Sequence, residues 1–404
     1  MVVAPMTGLF LRPALGKLPQ QTGVLSQILR YSTRVVPSDR SPSGAGPADA
    51  SQHAANGPVT KTTNSEIPAW AKPISCQTST TAPRKQRKPK WKATFDAYME
   101  LTKPRLTALV VLSAMSSYAL VPSGGSLTSL GVLTVGTALC SASANSINQG
   151  REPEFDRQMT RTRKRPVASY RLTSQQAFAF AGLCGISGVS LLGLGTNWTV
   201  GLLGLANILL YGITYTSMKR TSILNTWVGA IVGAIPPLMG WATCASLATP
   251  GPWILAGLLY SWQFPHFMSL SYSIADEYKR AGYVMSAWTN PLLTARVALR
   301  HSLFMFPLCF AASYFGLTDN YFAFDSSLVN GWMTYAAFKF WQQQRRLRNV
   351  APSLYKHSGE YKQHARLLFW ASVIHLPLVL LLAMMHKKGQ WDWLVGPSKP
   401  DHQR

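Results

Sequence analysis

Residues 221–275 read TSILNTWVGAIVGAIPPLMGWATCASLATPGPWILAGLLYSWQFPHFMSLSYSIA, a run of 55 residues without Asp, Glu, Lys or Arg. Two earlier runs also lack these residues, one of 45 residues at 106–150 and one of 47 residues at 172–218. A helix needs about 20 apolar residues to cross the hydrocarbon core of a bilayer. Each run contains a Gly-, Pro- or Asn-containing turn near its middle, so each run predicts two membrane helices joined by a short connection.

Three further apolar segments follow the long runs, which gives nine predicted spans in an all-α, polytopic membrane bundle. The eighth segment is the weakest, because Asp325 and Asn330 interrupt it, and eight spans are the alternative. The predicted spans are 106–121, 127–147, 176–194, 198–216, 223–247, 252–272, 301–317, 323–341 and 367–385.

The composition supports a membrane protein rather than a soluble one. Of the 404 residues, 47% are hydrophobic and 13% are charged, whereas about a quarter of a soluble domain is charged. The net charge of +24 is of the kind that nucleic-acid-binding proteins carry, but such binding needs a basic surface on a soluble fold. The long charge-free runs exclude that surface. We therefore expect this chain to lie in a lipid bilayer and to bind no nucleic acid.

Lys and Arg are concentrated in alternate loops between the predicted spans. The loops after spans two, four, six and eight carry them, whereas the turns after spans one, three, five and seven carry none. By the positive-inside rule, these four basic loops and the N-terminus are expected on the inner side of the membrane. The C-terminal segment with Lys387 and Lys388 is then expected on the outer side, which departs mildly from the rule.

The N-terminal 92 residues differ in composition from the rest of the chain. Residues 1–38 contain four basic residues and no acidic residue, as is typical of a mitochondrial transit peptide. Residues 39–92 are rich in Ser, Pro, Ala and Thr, which predicts a disordered basic linker. A transmembrane domain at 93–386 and a tail at 387–404 complete the predicted organisation. The five cysteines are scattered and form no CxxC motif, so neither a disulfide framework nor a cysteine metal site is indicated.

Acidic residues are scarce, and five of the fifteen lie in two of the basic loops. In the first loop, Asn148, Glu152 and Asp156 are spaced i, i+4, i+8, so they share one face if the second span continues as a helix. Mg²⁺ prefers carboxylates together with phosphate oxygens, and the guanidinium groups of Arg161 and Arg165 suit further phosphate oxygens. This pattern predicts a site for Mg²⁺ and a diphosphate. The alternative is a solvated loop whose carboxylates only balance the arginines.

A second polar cluster lies at the inner end of the sixth span. His266 falls within the span, and Asp276 and Glu277 follow it in the next loop. Ionisable residues inside a membrane are costly and are therefore functional candidates. The alternative for His266 is a packing residue that bonds a carbonyl group freed by Pro265.

The first loop also carries a recognisable motif. Residues 145–156 read NSINQGREPEFD and residues 159–166 read MTRTRKRP, which resembles the first signature of the UbiA-type intramembrane prenyltransferases. Residues 260–267 (YSWQFPHF) and 276–285 (DEYKRAGYVM) resemble the second signature in the form found in mitochondrial protoheme IX farnesyltransferases, the heme O synthases. Stretches 98–105, 215–225 and 233–241 agree in order with the same group. The resemblance covers about residues 95–385.

The resemblance implies a nine-helix bundle in the mitochondrial inner membrane that joins farnesyl diphosphate, protoheme IX and water into heme O and releases diphosphate. Heme A synthase or cytochrome oxidase assembly proteins are the implied partners. The resemblance implies that Mg²⁺ and the reacting diphosphate are held by Asn148, Glu152, Asp156, Asp276 and Glu277. It further implies that Lys103, Arg161, Arg165 and Lys219 bind the diphosphate, and that His266, Arg105 and Arg220 contact heme.

Two positions depart from the wider family, and two other classes of function stay open. The first motif has Glu152 where many relatives have Asp, and the second has Ile274 where many have an acidic residue, which leaves open whether one Mg²⁺ or two are held. A related prenyltransferase acting on an aromatic quinone precursor is one alternative, against which the heme-type second signature argues. A non-enzymatic carrier or assembly factor is the other, but a carrier would be expected to show internal symmetry.

Overall fold

The structure is a computed structural model that describes residues 89–122, 124–355 and 359–390. The predicted transit peptide, almost all of the predicted linker and residues 391–404 of the tail lie outside the described residues. The first described helix begins at Lys90, three residues inside the segment predicted as linker. From there to residue 390, the described part of the chain forms one compact unit.

The described residues form helices and no strand, which confirms the all-α prediction. In chain order they are α1 (Lys90–Leu101), α2 (Pro104–Leu120), α3 (Leu127–Arg151), α4 (Pro153–Arg157), α5 (Ser174–Gly195), α6 (Trp198–Met218), α7 (Asn225–Ala242), α8 (Pro250–Ser273), α9 (Ala275–Arg280), α10 (Ser286–Thr289), α11 (Pro291–Tyr314), α12 (Tyr321–Leu347), α13 (Pro352–Tyr355) and α14 (Gln363–Met385).

Nine of the helices in the described ranges have 17 residues or more, and they correspond in order to the nine predicted spans. Five of them are both long and apolar enough to cross a membrane, namely α3, α5, α6, α11 and α14 with its preceding turn. The protein is therefore an all-α membrane protein, and the count of nine crossings remains a prediction.

The largest error in the predicted spans is the start of α11. The helix begins at Pro291, ten residues before the predicted start at 301, because Asn290 caps it by accepting a hydrogen bond from the backbone N–H of Leu293. Pro at the first helical position needs no hydrogen-bond acceptor for its nitrogen. Arg296 and Arg300, which precede the predicted start at 301, therefore belong to the first turns of this helix.

The polar residues that weakened the prediction of α12 are satisfied by neighbouring helices. Asn330 is fully buried, its side-chain oxygen lies 2.8 Å from Nε2 of His375 on α14, and its amide lies 3.3 Å from Sγ of Cys309 on α11. Buried polar groups are tolerated when they are hydrogen-bonded. His375 is thus a packing residue, and α12 runs without interruption through its polar positions.

The long helices pack in a ring in which neighbours along the chain are mostly neighbours in space. α2 lies between α3 and α7, α8 lies between α7 and α11, and α14 closes the ring against α8, α12 and α2. The helices approach closely at glycines: a Cβ atom on Gly240 of α7 would clash with the backbone carbonyl of Ala114 on α2, and one on Gly188 of α5 would lie only 3.0 Å from the backbone nitrogen of Cys140 on α3. Small residues at such positions let membrane helices approach closely.

The basic loops lie together at one end of this ring. The loop after α3 contacts α9 through Thr160 and Glu277, and the residue after α6 contacts the loop before α10 through Lys219 and Val284. At the opposite end, Nζ of Lys387 donates hydrogen bonds to the carbonyl groups of Ala119, in the last turn of α2, and of Val121, just after it. Cations are favourable at helix C-termini, which gives this outer lysine a structural role. The membrane side that each end faces remains a prediction.

The end opposite the basic loops contains a histidine held between two carboxylates. His386 lies 2.9 Å from Asp319 through Nδ1 and 3.0 Å from Asp325 through Nε2, so it joins the end of α14 to the start of α12. Burial lowers the pKa of His386, but hydrogen bonds to Asp319 and the charges of both carboxylates outweigh burial and raise it above 6.5. A histidine that bonds two acceptors must carry a proton on both nitrogens.

Because this pKa is raised on folding, the stabilisation is complete below pH 6.5 and is lost as the pH rises through the raised value. We therefore expect the midpoint temperature of thermal unfolding, measured in lipid nanodiscs, to decrease as the pH rises from 6.5 through the raised pKa. The His386→Gln variant should lose this part of the pH dependence. The matched control is His364→Gln, because His364 is not the histidine held between Asp319 and Asp325. An identical pH profile for wild type and His386→Gln would contradict the assignment.

Candidate active site

The site is built around a break in the polypeptide at Glu152. α3 stops at Arg151 because Pro153 restricts the residue before it, and Glu152 has φ −122° and ψ 30°, outside the helical region. The short helix α4 then starts at Pro153. The predicted shared face of Asn148, Glu152 and Asp156 required the second span to continue as a helix, and the break at Glu152 removes that condition. All three side chains nevertheless lie in the same buried region.

Glu152 is the centre of this region and is only 1% exposed. Its Oε2 accepts hydrogen bonds from Nζ of Lys219 at 2.6 Å and from the side-chain amide of Asn148 at 2.9 Å. The same amide of Asn148 donates to the hydroxyl of Thr216, at 3.1 Å. The other oxygen of Glu152, Oε1, is buried and has no hydrogen-bond partner among the described residues. A buried carboxylate oxygen without a partner is costly, so it indicates that a ligand completes the site.

Lys103 reaches the same cluster from the junction between α1 and α2. Its Nζ donates to Oδ1 of Asn148 at 3.2 Å and to the hydroxyl of Tyr211 at 3.3 Å. Its backbone adopts the left-handed conformation, with φ 51°, which is unfavourable for a residue with a side chain. The side-chain amide of Asn145 on α3 donates to the carbonyl of Thr102. Strain of this kind persists where the surroundings fix it, often at functional sites.

Asp156 lies on α4 in a separate ion pair. Nη1 of Arg165 lies 2.8 Å from one of its carboxylate oxygens and 2.9 Å from the other. Asp156 is 2% exposed, and its backbone carbonyl accepts a hydrogen bond from the hydroxyl of Thr162. The loop after α4 therefore folds back on Asp156 and places Arg165 next to the cluster.

The wall of the site formed by α6 contains a widened, π-helical turn at Leu210–Tyr215. Arg151, the last residue of α3, donates to the carbonyl groups of Gly212 and Ile213 in this turn. The widened turn places Tyr211 against Lys103 and Thr216 against Asn148. Single π-helical turns are frequent at functional sites, and here the turn aligns two side chains with the polar cluster.

The second signature approaches from the opposite side. Oε2 of Glu277 on α9 accepts a hydrogen bond from the backbone N–H of Thr160, so the two signature loops are joined directly. The backbone N–H of Val284 donates to the carbonyl of Lys219, and the side chain of Asn225 donates to the carbonyl of Val284. These bonds hold Lys219 in place beneath the two loops.

The charges in this region do not balance. Four cations lie in this region, Lys103, Lys219, Arg165 and, at its exposed edge, Arg161, against two buried carboxylates, Glu152 and Asp156. Burial, with the charges of Arg165 and Lys219, holds the pKa of Lys103 well below its usual range. Burial also lowers the pKa of Lys219, although Glu152 opposes this effect. An anionic ligand would favour the charged form of both lysines, so the region is suited to bind a polyanion.

The donor set also fits Mg²⁺ when the metal is brought by a phosphate-bearing ligand. Among the described residues, no three His, Cys, Asp or Glu side chains lie close enough to form a metal site by themselves. Mg²⁺ is often held by one or two carboxylates, with substrate phosphates and water completing its shell. The unpartnered Oε1 of Glu152 is a carboxylate oxygen of this kind.

The remaining predicted site residues lie outside the buried cluster. Asp276 and Arg161 are exposed at the same end of the ring. Arg105 is exposed in the first turn of α2, and the guanidinium of Arg220 lies 4.1 Å above the ring of Phe155 on α4. Arg220 is thus near the first signature loop, on its outer surface.

His266 lies apart from the cluster, between α8 and α14. Its Nδ1 is 3.0 Å from the hydroxyl of Ser372, and its ring stacks on Trp262 at 4.8 Å. The packing alternative therefore named the wrong partner, because the bond is to a hydroxyl and not to a carbonyl freed by Pro265. No contact in the described part of the chain joins His266 to Arg105 or Arg220.

The sequence prediction missed the side chains that come from α6. Tyr211 and Thr216 contact the predicted residues Lys103 and Asn148, and Arg151 fixes the turn that carries them. Thr216 lies in the stretch 215–225 that resembles the family, whereas Tyr211 had no signal beyond its position shortly before that stretch. The widened turn that brings them inward has no clear sequence pattern.

Residues 109–358, more than half of the chain, match the UbiA prenyltransferase family. The chain belongs to this family, which confirms the class inferred from its two signatures. Prenyltransferases of this family generally use Mg²⁺ with diphosphate substrates. The chain is similar in fold to a solved digeranylgeranylglyceryl phosphate synthase, with a TM-score of 0.57 and 14% identity over 72% of this chain and 98% of the other.

More specific similarity comes from two fungal relatives. A protein of Yarrowia lipolytica is 58% identical over 344 residues, which are 82% of this chain and 72% of the relative. A protein of Saccharomyces cerevisiae is 57% identical over 315 residues, which are 76% of this chain and 68% of the relative. Both are named mitochondrial protoheme IX farnesyltransferase.

Proposed function

We propose that this chain is a protoheme IX farnesyltransferase of the mitochondrial inner membrane. It transfers the farnesyl group of farnesyl diphosphate to a vinyl group of protoheme IX, with water, and yields heme O and diphosphate. The observation that carries the proposal is the identity of 57–58% to relatives with this name over three quarters or more of the chain. The buried, cation-rich cluster around Glu152 supports the same activity, since it is suited to a diphosphate.

In the proposed reaction, the C–O bond of farnesyl diphosphate breaks and the diphosphate leaves with the electron pair. The allylic cation is attacked by the vinyl group, and water adds to the resulting carbocation and loses a proton. Lys103, Lys219, Arg161 and Arg165 would stabilise the negative charge that grows on the leaving group. Preorganised charges that face such a developing anion are usually the largest contribution to catalysis.

Glu152 and Asn148 would hold Mg²⁺, together with Asp156 and an acidic residue of the second signature. Bound Mg²⁺ neutralises phosphate charge in steps of this kind. Glu152 would also keep Lys219 oriented through the hydrogen bond of 2.6 Å. Glu277 would keep the two signature loops together through the backbone N–H of Thr160. Heme A synthase or cytochrome oxidase assembly proteins remain predicted partners.

The proposal is tested by measuring diphosphate release from farnesyl diphosphate by the purified protein with Mg²⁺ and two acceptors in turn. We expect release to depend on protoheme IX and to be at background level with 4-hydroxybenzoate, an aromatic quinone precursor. The reverse preference would favour the quinone-pathway alternative. If the protein released no diphosphate with either acceptor, the proposal would be contradicted.

His266 supplies a prediction that concerns heme alone. It lies seven residues before the end of α8 at Ser273, about 10 Å along the helix at 1.5 Å per residue, and is therefore deeper in the bundle than the loop that carries the second signature. A flat apolar macrocycle between α8 and α14 could reach that depth, whereas a diphosphate should not. We expect His266→Ala to weaken heme binding, measured by absorbance titration, and to leave the affinity for a farnesyl diphosphate analogue unchanged.

Ser372→Ala is the matched control, because it removes the hydrogen-bond partner of His266 but leaves the imidazole in place. If His266 only packs against α14, the two variants should behave alike and both ligands should be affected equally. Heme contact predicts weakened heme binding in His266→Ala and near-normal binding in Ser372→Ala. Equal effects of the two variants would remove His266 from the heme site.

A further inference from the structure

The first helix, α1, exposes an apolar stripe. Trp91, Phe95 and Met99 are 73%, 59% and 45% exposed, and their i, i+4, i+8 spacing places them on one face of the helix. Three large apolar side chains in a row on one helix face are costly to leave in water. This face is therefore expected to meet an apolar environment.

Another face of α1 is held by the rest of the protein. Ala97 and Leu101 are 1% and 0% exposed and pack in one cluster with Val167, Leu172 and Ala177. Glu100 forms an ion pair with Arg171 of the loop after α4. The helix is thus fixed to the first signature loop and to α5, and its apolar stripe points away from that contact.

The continuity of the chain indicates what covers the stripe. Only two residues separate α1 from α2, and the exposed α2 residues Leu106, Leu109 and Leu112 are those of a membrane helix that faces lipid. Residues at the start of a membrane helix lie at the depth of the lipid headgroups, where Trp is enriched. Lys90 and Lys92 are exposed on α1, and lysines at this depth are attracted to anionic headgroups.

We propose that α1 is an interfacial helix that lies on the bilayer at the end of the ring that holds the basic loops. Its Trp91–Phe95–Met99 stripe is inserted at the boundary between headgroups and acyl chains. Amphipathic helices that carry an apolar face and lysines bind membranes in this way. The partner is the lipid surface, and anionic lipid strengthens the contact.

This placement also has a consequence for Lys103. The end of α1 is tied to α3, because the side-chain amide of Gln149 donates to the carbonyl of Leu101 at 2.7 Å. The backbone N–H of Lys103 donates to the carbonyl of Glu100. Lipid contact along α1 therefore stabilises the left-handed conformation that directs Lys103 into the polar cluster.

The test uses the full-length protein in nanodiscs with an environment-sensitive fluorophore, NBD, on a single introduced cysteine. Cys140, Cys184 and Cys309 are buried, so the background needs only Cys76→Ser and Cys244→Ser, with the unlabelled parent as the blank. Phe95→Cys places the probe on the stripe. Ala93→Cys is the matched control, because Ala93 is exposed and lies two residues away, about 200° around the helix.

We expect the probe at position 95 to emit at shorter wavelength and to be quenched several-fold more by doxyl-labelled lipid than the probe at 93. The difference should increase when phosphatidylcholine nanodiscs contain anionic phosphatidylglycerol. Iodide in the aqueous phase should quench the probe at 93 instead. Equal aqueous quenching at both positions would overturn the proposal. Protection at position 95 that appears only after addition of mitochondrial extract would also overturn it, because a protein would then cover the stripe.

Discussion

The Glu152→Gln variant should lower kcat for heme farnesylation on the order of 10²–10³-fold, the loss that follows removal of one preorganised electrostatic group. Glu152 would contribute its unpartnered Oε1 to Mg²⁺ and would orient Lys219 through Oε2. The amide of Gln can fill the same space but carries no charge. The measurement is single-turnover formation of heme O at saturating farnesyl diphosphate and Mg²⁺.

The same substitution should also destabilise the protein. Glu152 is 1% exposed and the Lys219 side chain is 12% exposed, and removing one member of a buried ion pair costs about 3–5 kcal/mol. The double variant Glu152→Gln, Lys219→Met removes both charges and should recover much of the thermal stability without recovering activity. This result would separate catalysis from folding.

Glu154 provides the matched control for Glu152. Its side chain is 78% exposed in the same segment and, among the residues that the structure describes, pairs only with Arg157, three residues later. Glu154→Gln should therefore retain near-normal turnover and stability. If Glu154→Gln and Glu152→Gln reduced activity equally, the proposed role of the buried cluster would be wrong.

The Asp156→Asn variant should raise the Mg²⁺ concentration needed for half-maximal activity. Loss of an outer-shell partner alone typically weakens metal affinity by about 10–100-fold, so loss of a direct carboxylate ligand should have at least this effect. The substitution also frees Arg165, whose Nη1 now bonds both carboxylate oxygens. The assay is a Mg²⁺ titration of heme O formation at fixed saturating substrates.

A normal Mg²⁺ requirement in Asp156→Asn, with near-normal turnover, would show that Asp156 only supports the loop through Arg165. The Arg165→Lys variant distinguishes these roles further. Arg and Lys are not equivalent where one guanidinium nitrogen bonds two oxygens. We expect Arg165→Lys to raise KM for farnesyl diphosphate while its Mg²⁺ requirement stays close to that of wild type.

The long helices could be predicted because charge-free runs indicate which segments can cross the bilayer and turn residues indicate where one helix ends and the next begins. The start of α11 could not be predicted in the same way. Arg296 and Arg300 mark a loop by charge, but the Asn290 cap and Pro291 start the helix before them. The continuity of α12 was equally hidden, since it depends on a hydrogen bond between Asn330 and His375, 45 residues away in the chain.

The candidate site could be predicted in its residue types but not in its geometry. The spacing of Asn148, Glu152 and Asp156 identified the carboxylates, yet Pro153 breaks the helix between them. The pairing of Glu152 with Lys219 and of Asp156 with Arg165 depends on tertiary contacts. The inward placement of Tyr211 and Thr216 depends on a widened turn that Arg151 stabilises from another helix.

The central claim is that this protein adds a farnesyl group and a hydroxyl group to heme. The most direct test is mass spectrometry of the heme product that forms from protoheme IX, farnesyl diphosphate and Mg²⁺ in ¹⁸O-labelled water. The proposed reaction predicts a product heavier than protoheme IX by one farnesyl group and one hydroxyl group, with the label on the hydroxyl oxygen. Unchanged protoheme IX, or a farnesylated heme whose oxygen does not come from water, would contradict it.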